Sequence, residues 1–293
     1  MNALEHTLEQ KLADVAISKP VPDELPASSR APRNNWWQPY RRGWLSLISL
    51  LAVLGGWWGL SHSGVVPPLF LPAPEAVVAK LITVSTQGFM DATLWQHLAA
   101  SLQRIVLALL AAVLLGIPLG VLMGVSPVAR GLLDPLIEAY RPVPPLAYLP
   151  LIVIWFGIGE LSKVLLIFLA VLAPVIIATS HGVAQVSRNR LRAAQTLGAS
   201  RSQLLWFVIL PEALPEILTG IRIGLGTGWS TLVAAELVAA TRGLGFMVQS
   251  AAQFLVTDVV ILGIAVIAVI AFALELGLRL LQRRLAPWHG QLD

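Results

Sequence analysis

Long apolar runs, with arginines at several of their ends, dominate this sequence. Hydrophobic residues make up 56% of the chain and charged residues only 12%, which is too apolar for a water-soluble fold of ordinary composition. Runs of this length are typical of helices that cross a membrane. The sequence therefore predicts an all-α membrane protein with six transmembrane helices.

The predicted spans divide the chain into a membrane domain and its flanking segments. A polar, proline-containing tail covers 1–43, a Pro-rich connection on the far side of the membrane covers 61–96, and a second tail covers 286–293. Between them, 97–285 forms a domain with five of the six spans. The spans themselves are 44–60, 105–125, 145–158, 164–180, 217–240 and 259–281. We also expect a surface helix at 75–84, a loop through 130–141 and a tight connection at 241–246.

Two spans carry glycines at every fourth position. The second span contains Gly116, Gly120 and Gly124, and the fifth contains Gly220, Gly224 and Gly228. Glycines at this spacing lie on one face of a helix and allow a neighbouring helix to approach closely. The six glycines are therefore predicted helix-packing residues.

The fifth span also contains polar and charged side chains at Arg222, Trp229 and Glu236. Charged side chains at membrane depth are costly, so they usually face a bundle interior or a water-filled cavity. Arg222 either faces such a cavity or extends to the cytoplasmic surface. Glu236 either lines a translocation pathway or makes an interhelical contact. Trp229 and Glu236 are the candidate pathway residues.

The distribution of positive charge predicts the orientation of the spans. If the N-terminus is cytoplasmic, most arginines of the loops and tails lie on the cytoplasmic side, while Lys80, Lys163 and Arg242 lie on the opposite side. Cytoplasmic loops of membrane proteins are enriched in lysine and arginine. We therefore expect both termini, and the basic segment 188–215, to be cytoplasmic.

The segment 188–215 predicts two short helices joined by a turn. Gly198 stands where a helix C-terminus favours a residue with positive φ. Ser200 and Gln203 then form a capping-box pattern that begins a second helix. Pro211 and Pro215 are expected to disturb this second helix. An ordinary amphipathic surface helix pair is the alternative interpretation.

This segment resembles the EAA loop of permease subunits of ABC importers. The matching residues are Ala193, Ala194, Gly198, Val208, Leu210 and Pro211. Arg192 stands where the family has a glutamate, and Val208 where it has an isoleucine. The resemblance implies a type I ABC importer permease fold, with Arg192, Ala193, Ala194, Gly198, Leu210 and Pro211 at the contact with an ATPase subunit.

Stretches at 88–97, 140–147, 154–160 and 228–247 resemble permeases for sulfonates, nitrate and taurine. That resemblance implies a homodimer in the bacterial inner membrane, two cytoplasmic ATPase subunits and a periplasmic substrate-binding protein. It implies import of taurine, or alternatively of another sulfonate or small anion. ATP and Mg would be bound by the partner ATPase and not by this chain.

Several other classes of protein are disfavoured. The sequence has no cysteine and no Gly-rich loop ending in Gly-Lys-Ser or Gly-Lys-Thr, so it predicts no thiol chemistry and no ATP hydrolysis of its own. The five histidines lack metal-ligand spacing, and the net charge of +4 is explained by membrane orientation without nucleic acid. An ion-coupled secondary transporter is the rival hypothesis, but it would need mid-membrane carboxylates.

Overall fold

The computed structural model describes residues 38–287, and these residues are mostly helical. The helices are α1 (Gln38–His62), α2 (Pro74–Thr86), α3 (Leu94–Val125), α4 (Pro127–Tyr140), α5 (Leu149–Phe156), α6 (Glu160–Ala184), α7 (Arg188–Thr196), α8 (Arg201–Leu204), α9 (Leu210–Ala239), α10 (Leu244–Gln253) and α11 (Thr257–Leu285). A 3₁₀ turn covers Pro145–Tyr148, and a π turn covers Leu205–Ile209. An isolated bridge joins Phe89 and Ala92.

The chain divides after Gly56 into two compact units. The described part of the first unit is the beginning of α1, which starts at Gln38, six residues before the predicted span. The rest of the predicted N-terminal tail lies outside the described residues, as does most of the predicted C-terminal tail. The second unit contains all the other helices.

Four helices in the described part of the chain are long and apolar enough to cross a membrane. They are α3, α6, the continuous helix from Arg201 to Val238, and α11. These helices correspond to four of the predicted spans and extend beyond them. The remaining two predicted spans correspond to shorter apolar helices, Leu47–His62 and Pro145–Phe156.

Two predicted connections are helical instead. The expected loop at 130–141 is wrong, because this region belongs to α4. Its N-terminus is capped by Ser126, whose hydroxyl accepts a hydrogen bond from Ala129 N at 3.3 Å. Val128, Leu132 and Leu136 share a helical spacing of four residues, which was the sequence signal for this helix. Helix α10 begins at Leu244, inside the predicted tight connection at 241–246, and was also not expected.

Helix α6 packs between α3 and α9 against both sets of glycines. A Cβ atom on Gly120 would lie 2.7 Å from Ile176 O of α6, and one on Gly220 would lie 2.5 Å from Ala178 Cβ of α6. Gly116, Gly124, Gly224 and Gly228 also face α6 side chains at distances too short for a Cβ. The backbones of these three helices therefore approach closely because the glycines lack side chains.

Replacing Gly120 by valine should destabilise the packing of α3 on α6. Because a backbone carbonyl blocks the new Cβ, the helices must separate, and overpacking of this kind costs about 1–3 kcal/mol or more. Thermal unfolding in detergent should show a lower Tm. Gly277→Val in α11 is the matched control, since no atom lies within 4 Å of its added Cβ. Equal Tm values for the two variants would contradict this account of the packing.

Candidate functional site

The segment predicted to couple to a partner forms the turn expected from its sequence. Helix α7 ends at Thr196, and Gly198 adopts a positive φ of 85°. Ser200 Oγ accepts from Gln203 N at 3.3 Å, and Gln203 Oε1 accepts from Ser200 N at 2.8 Å. The helix break at Gly198 and the capping box are therefore confirmed.

The predicted coupling residues lie on both sides of this turn. Arg192, Ala193 and Gly198 are exposed, whereas Ala194 is half-buried. Leu210 is half-buried and Pro211 exposed at the beginning of α9. Leu197, next to Gly198, is 88% exposed. The turn therefore presents a surface of small and apolar residues.

The expected disturbance at Pro211 takes the form of a π turn, and the helix does not end there. Leu210 N donates to Leu205 O, one residue further back than in an α-helix. Proline lacks the N–H that would continue the regular pattern. The fifth span consequently begins earlier than the predicted residue 217, and α8 leads through the π turn into α9.

Helix α7 is tied directly to the beginning of α9. Arg190 Nη1 lies 2.9 Å from Glu212 Oε1, and Ser187 N donates to the same oxygen at 3.2 Å. Gly182, near the end of α6, also lies close to α9, because a Cβ there would be 2.7 Å from Glu216 Cβ. A displacement of α7 therefore acts on α9 through Glu212, and α9 in turn packs against the end of α6.

An ion network, buried at Arg104 and Glu236 and exposed at Glu160, joins the other end of α9 to α3 and α6. Arg104 Nη1 donates to Glu236 Oε1 at 2.6 Å, while its Nε and Nη2 donate to the two Glu160 carboxylate oxygens at 2.6 and 2.8 Å. Lys163 Nζ lies 2.7 Å from Glu160 Oε1. Glu236 is fully buried and Arg104 nearly so. The two glutamates and two cations balance one another.

The loop after α9 closes over this network. Arg104 Nη1 donates to Arg242 O at 2.7 Å, and Gly245 N donates to Glu236 Oε2 at 2.8 Å. Ser101 Oγ donates to Glu236 and accepts from Leu244 N. Gly243 has a φ of 138°, and a Cβ at this position would overlap the Glu236 carboxyl group. The glycines of this loop therefore allow the backbone to reach the buried carboxylate.

The two predicted pathway residues lie in different surroundings. Glu236 makes the interhelical contact that was its alternative interpretation, and its pathway role remains a prediction. Trp229 is 7% exposed, and its indole Nε1 is buried without a hydrogen-bond partner among the described residues. It borders a groove between α9 and α11.

A larger cavity of about 550 Å³ lies on the opposite side of α6 and α9, next to α4 and the 3₁₀ turn. Its polar lining residues are Tyr140, Arg141, His181, Gln185, Glu216, Thr227 and Thr231. Neither Trp229 nor Glu236 lines this cavity. These residues were not among the predicted pathway candidates, because the cavity combines side chains from three separate helices, α4, α6 and α9.

A family model for the binding-protein-dependent transport system inner membrane component matches residues 116–287. The chain belongs to this permease family. The matched range includes both the coupling segment and most of the bundle. Membership confirms the interpretation of the chain as a multi-pass inner membrane permease of an ABC importer, whose ATPase is a partner subunit.

Individual relatives agree with this family. The taurine transport system permease protein TauC of Escherichia coli K12 is 68% identical over 263 residues, covering 89% of this chain and 96% of TauC. The putative aliphatic sulfonates transport permease SsuC of the same organism is 37% identical, covering 84% of this permease and 91% of SsuC. An inward-facing structure of the MetNI methionine ABC transporter aligns with a TM-score of 0.57 at 18% identity, covering 64% of this permease and 93% of the matched chain. This likeness supports the type I permease fold.

Proposed function

We propose that this permease moves taurine across the inner membrane in an ATP-driven importer. The observation that carries the proposal is the 68% identity to the taurine permease over nearly the whole of both chains. The coupling segment supports it, because a permease without its own ATPase needs a surface through which a partner can act. Another sulfonate is the second candidate, since the sulfonate permease SsuC is 37% identical.

The proposed topology has six crossings with both termini in the cytoplasm. Four come from the long helices, and α1 supplies the first. The shorter apolar segment from Pro145 to Phe156, which comprises the 3₁₀ turn and α5, supplies the third.

The proposed assembly contains two copies of this permease, two cytoplasmic ATPase subunits and a periplasmic binding protein. Each ATPase would contact Ala193, Ala194 and Gly198 at the turn between α7 and α8. ATP-driven closure of the ATPases would displace this turn and exchange the bundle between inward-open and outward-open states. The contacts of Glu212 with α7 support this route, since they tie the turn to α9.

The cavity between α4, α6 and α9 is our candidate for part of the pathway. It is lined by a guanidinium group, Arg141, and a carboxylate, Glu216, with the threonine hydroxyls of Thr227 and Thr231 above them. Taurine carries a sulfonate and an ammonium group, so the two charges suit its two ends. Glu236 and Trp229 remain candidates for the far end of the pathway.

Uptake of labelled taurine in cells with this chain as sole permease tests the substrate. We expect ATP-dependent taurine accumulation that exceeds uptake of alkanesulfonates, together with co-purification of an ATPase subunit. The ATPase activity should rise when the loaded binding protein is added. Preferential uptake of alkanesulfonates would favour the second candidate, and accumulation without any ATPase would contradict an ABC importer.

A further inference from the structure

A basic cleft lies between α9 and α11, close to the C-terminal end of α11. Its volume is about 370 Å³, and its lining includes Thr219, Arg222, Arg279, Gln282 and Arg283. Gln282 Nε2 donates to Thr219 Oγ1 at 3.3 Å and to Pro215 O at 3.4 Å, which links the two helices at the bottom of the cleft. Both helices therefore contribute side chains to the cleft, and it is not formed by the C-terminal end of α11 alone.

The positive charge of the cleft is only partly balanced. Arg222 Nε and Arg279 Nη2 both approach a single oxygen, Glu275 Oε1, at 3.5 and 3.2 Å. Arg283 has no carboxylate within ion-pair distance among residues 38–287. One carboxylate thus faces three guanidinium groups, and the cleft retains an excess of positive charge that suits an anion.

An apolar groove continues from the cleft along the same pair of helices. This second cavity, of about 430 Å³, is lined by Leu225, Trp229, Ala271, Phe272 and Leu274, with Glu275 at its edge. On α9 the groove residues follow Arg222, and on α11 they precede Arg279, so in the antiparallel pair they lie on the same side of the cleft. A Cβ atom on Gly226 would have no neighbour within 4 Å, which leaves room in the groove.

Arginines at the ends of membrane helices are commonly explained by orientation alone. That explanation does not account for Arg222, which belongs to a different helix and lies 12 residues inside α9. Nor does it account for an apolar groove adjoining the charged cleft. The positive charge of the cleft suits the charged headgroup of an amphiphilic anion, and the apolar groove suits its hydrocarbon chain.

We propose that the cleft and groove bind one anionic phospholipid from the cytoplasmic leaflet. Its phosphate would contact Arg279 and Arg283, and one acyl chain would lie along the groove beside Trp229. Basic pockets between transmembrane helices on the cytoplasmic side are a known means of lipid recognition. The inference uses the proposed topology only to assign the leaflet, so a failure of lipid binding would leave the transport proposal intact.

Titration of the purified full-length chain in neutral detergent tests this proposal, with bound lipid counted by native mass spectrometry. Phosphatidylglycerol should bind at one site at least about tenfold more tightly than phosphatidylcholine. The variant Arg279→Gln/Arg283→Gln should weaken phosphatidylglycerol binding roughly 10- to 30-fold. Arg222 is kept so that Glu275 retains a partner.

Two further variants distinguish the effect of the cleft's arginine charges on lipid binding from the effect of the groove's shape. Arg130→Gln/Arg284→Gln removes two exposed arginines outside the cleft, one of them next to Arg283, and should change affinity less than about threefold. Gly226→Leu should fill the groove and weaken binding by about tenfold or more while all the arginines remain.

Each of the following results would overturn the proposal: equal binding of the two lipids, equal weakening by the control variant, or full binding by Gly226→Leu. Inorganic phosphate should not displace the lipid. Displacement by phosphate at comparable concentration would identify a site for free anions and would also overturn it. The wild-type comparison of the two lipids requires no variant, so it remains decisive if a variant fails to fold.

Discussion

Replacing Arg104 by methionine should lower the stability of the permease more than any other single change in the bundle. The guanidinium group is the counter-charge of Glu236, which is fully buried. Removing one partner of a buried ion pair costs about 3–5 kcal/mol, because the other charge stays buried without compensation. We expect a much lower Tm in detergent and less protein in the membrane.

Two comparisons separate this effect from a general loss of charge. Arg242→Met is the matched control, because Arg242 is exposed and contributes its backbone oxygen to the network. It should leave the Tm nearly unchanged. The double variant Arg104→Met/Glu236→Leu should recover at least half of the lost stability, since no buried carboxylate remains. A single variant as stable as the wild type would contradict the role given to the network.

Replacing Gly198 by valine should reduce uptake strongly without removing the protein from the membrane. The φ of 85° at Gly198 lies in a region that a β-branched residue rarely adopts. Left-handed backbone costs other residues about 1–2 kcal/mol. Because no atom lies within 4 Å of an added Cβ, the effect should come from the backbone and not from a clash within the chain.

A graded series at Gly198 makes this prediction quantitative. Uptake should fall roughly 5- to 30-fold for valine, less for alanine, and least for asparagine, which tolerates positive φ. The ATPase activity of the assembled complex should lose its dependence on loaded binding protein in the valine variant. Normal uptake by Gly198→Val would show that the shape of this turn is not needed for coupling, and would remove the assignment.

Local sequence patterns predicted the backbone structure of the segment 188–215 well. A glycine at a helix end and a capping box act over a few residues, so Gly198 and Ser200 could be interpreted without knowledge of the fold. The long apolar helices were also predictable, because length and hydropathy decide whether a helix can cross a membrane. The π turn before Pro211 was not, since continuation of the helix depends on packing against α6.

The ion network was missed because its members are distant in sequence. Arg104 lies 56 residues from Glu160 and 132 from Glu236. Each residue alone resembles a charge near the end of a span, and only the packing of α3, α6 and α9 brings them together. One signal in the sequence pointed to such a pair. Arg104 stands just before the apolar span 105–125, and Glu236 is an otherwise unexplained charge within another span.

Together with α8 and the π turn, helix α9 runs without a break from the turn between α7 and α8 to the ion network of Arg104 and Glu236. Its 30 residues extend about 45 Å, and Glu212 beside the coupling turn lies about 36 Å along the helix from Glu236 within the ion network. Because α6 is held against it by glycine contacts along this length, α9 has little freedom to bend or slide by itself. In the proposed importer, a small tilt of α9 at the coupling turn would therefore displace the ion network near the other end of the helix.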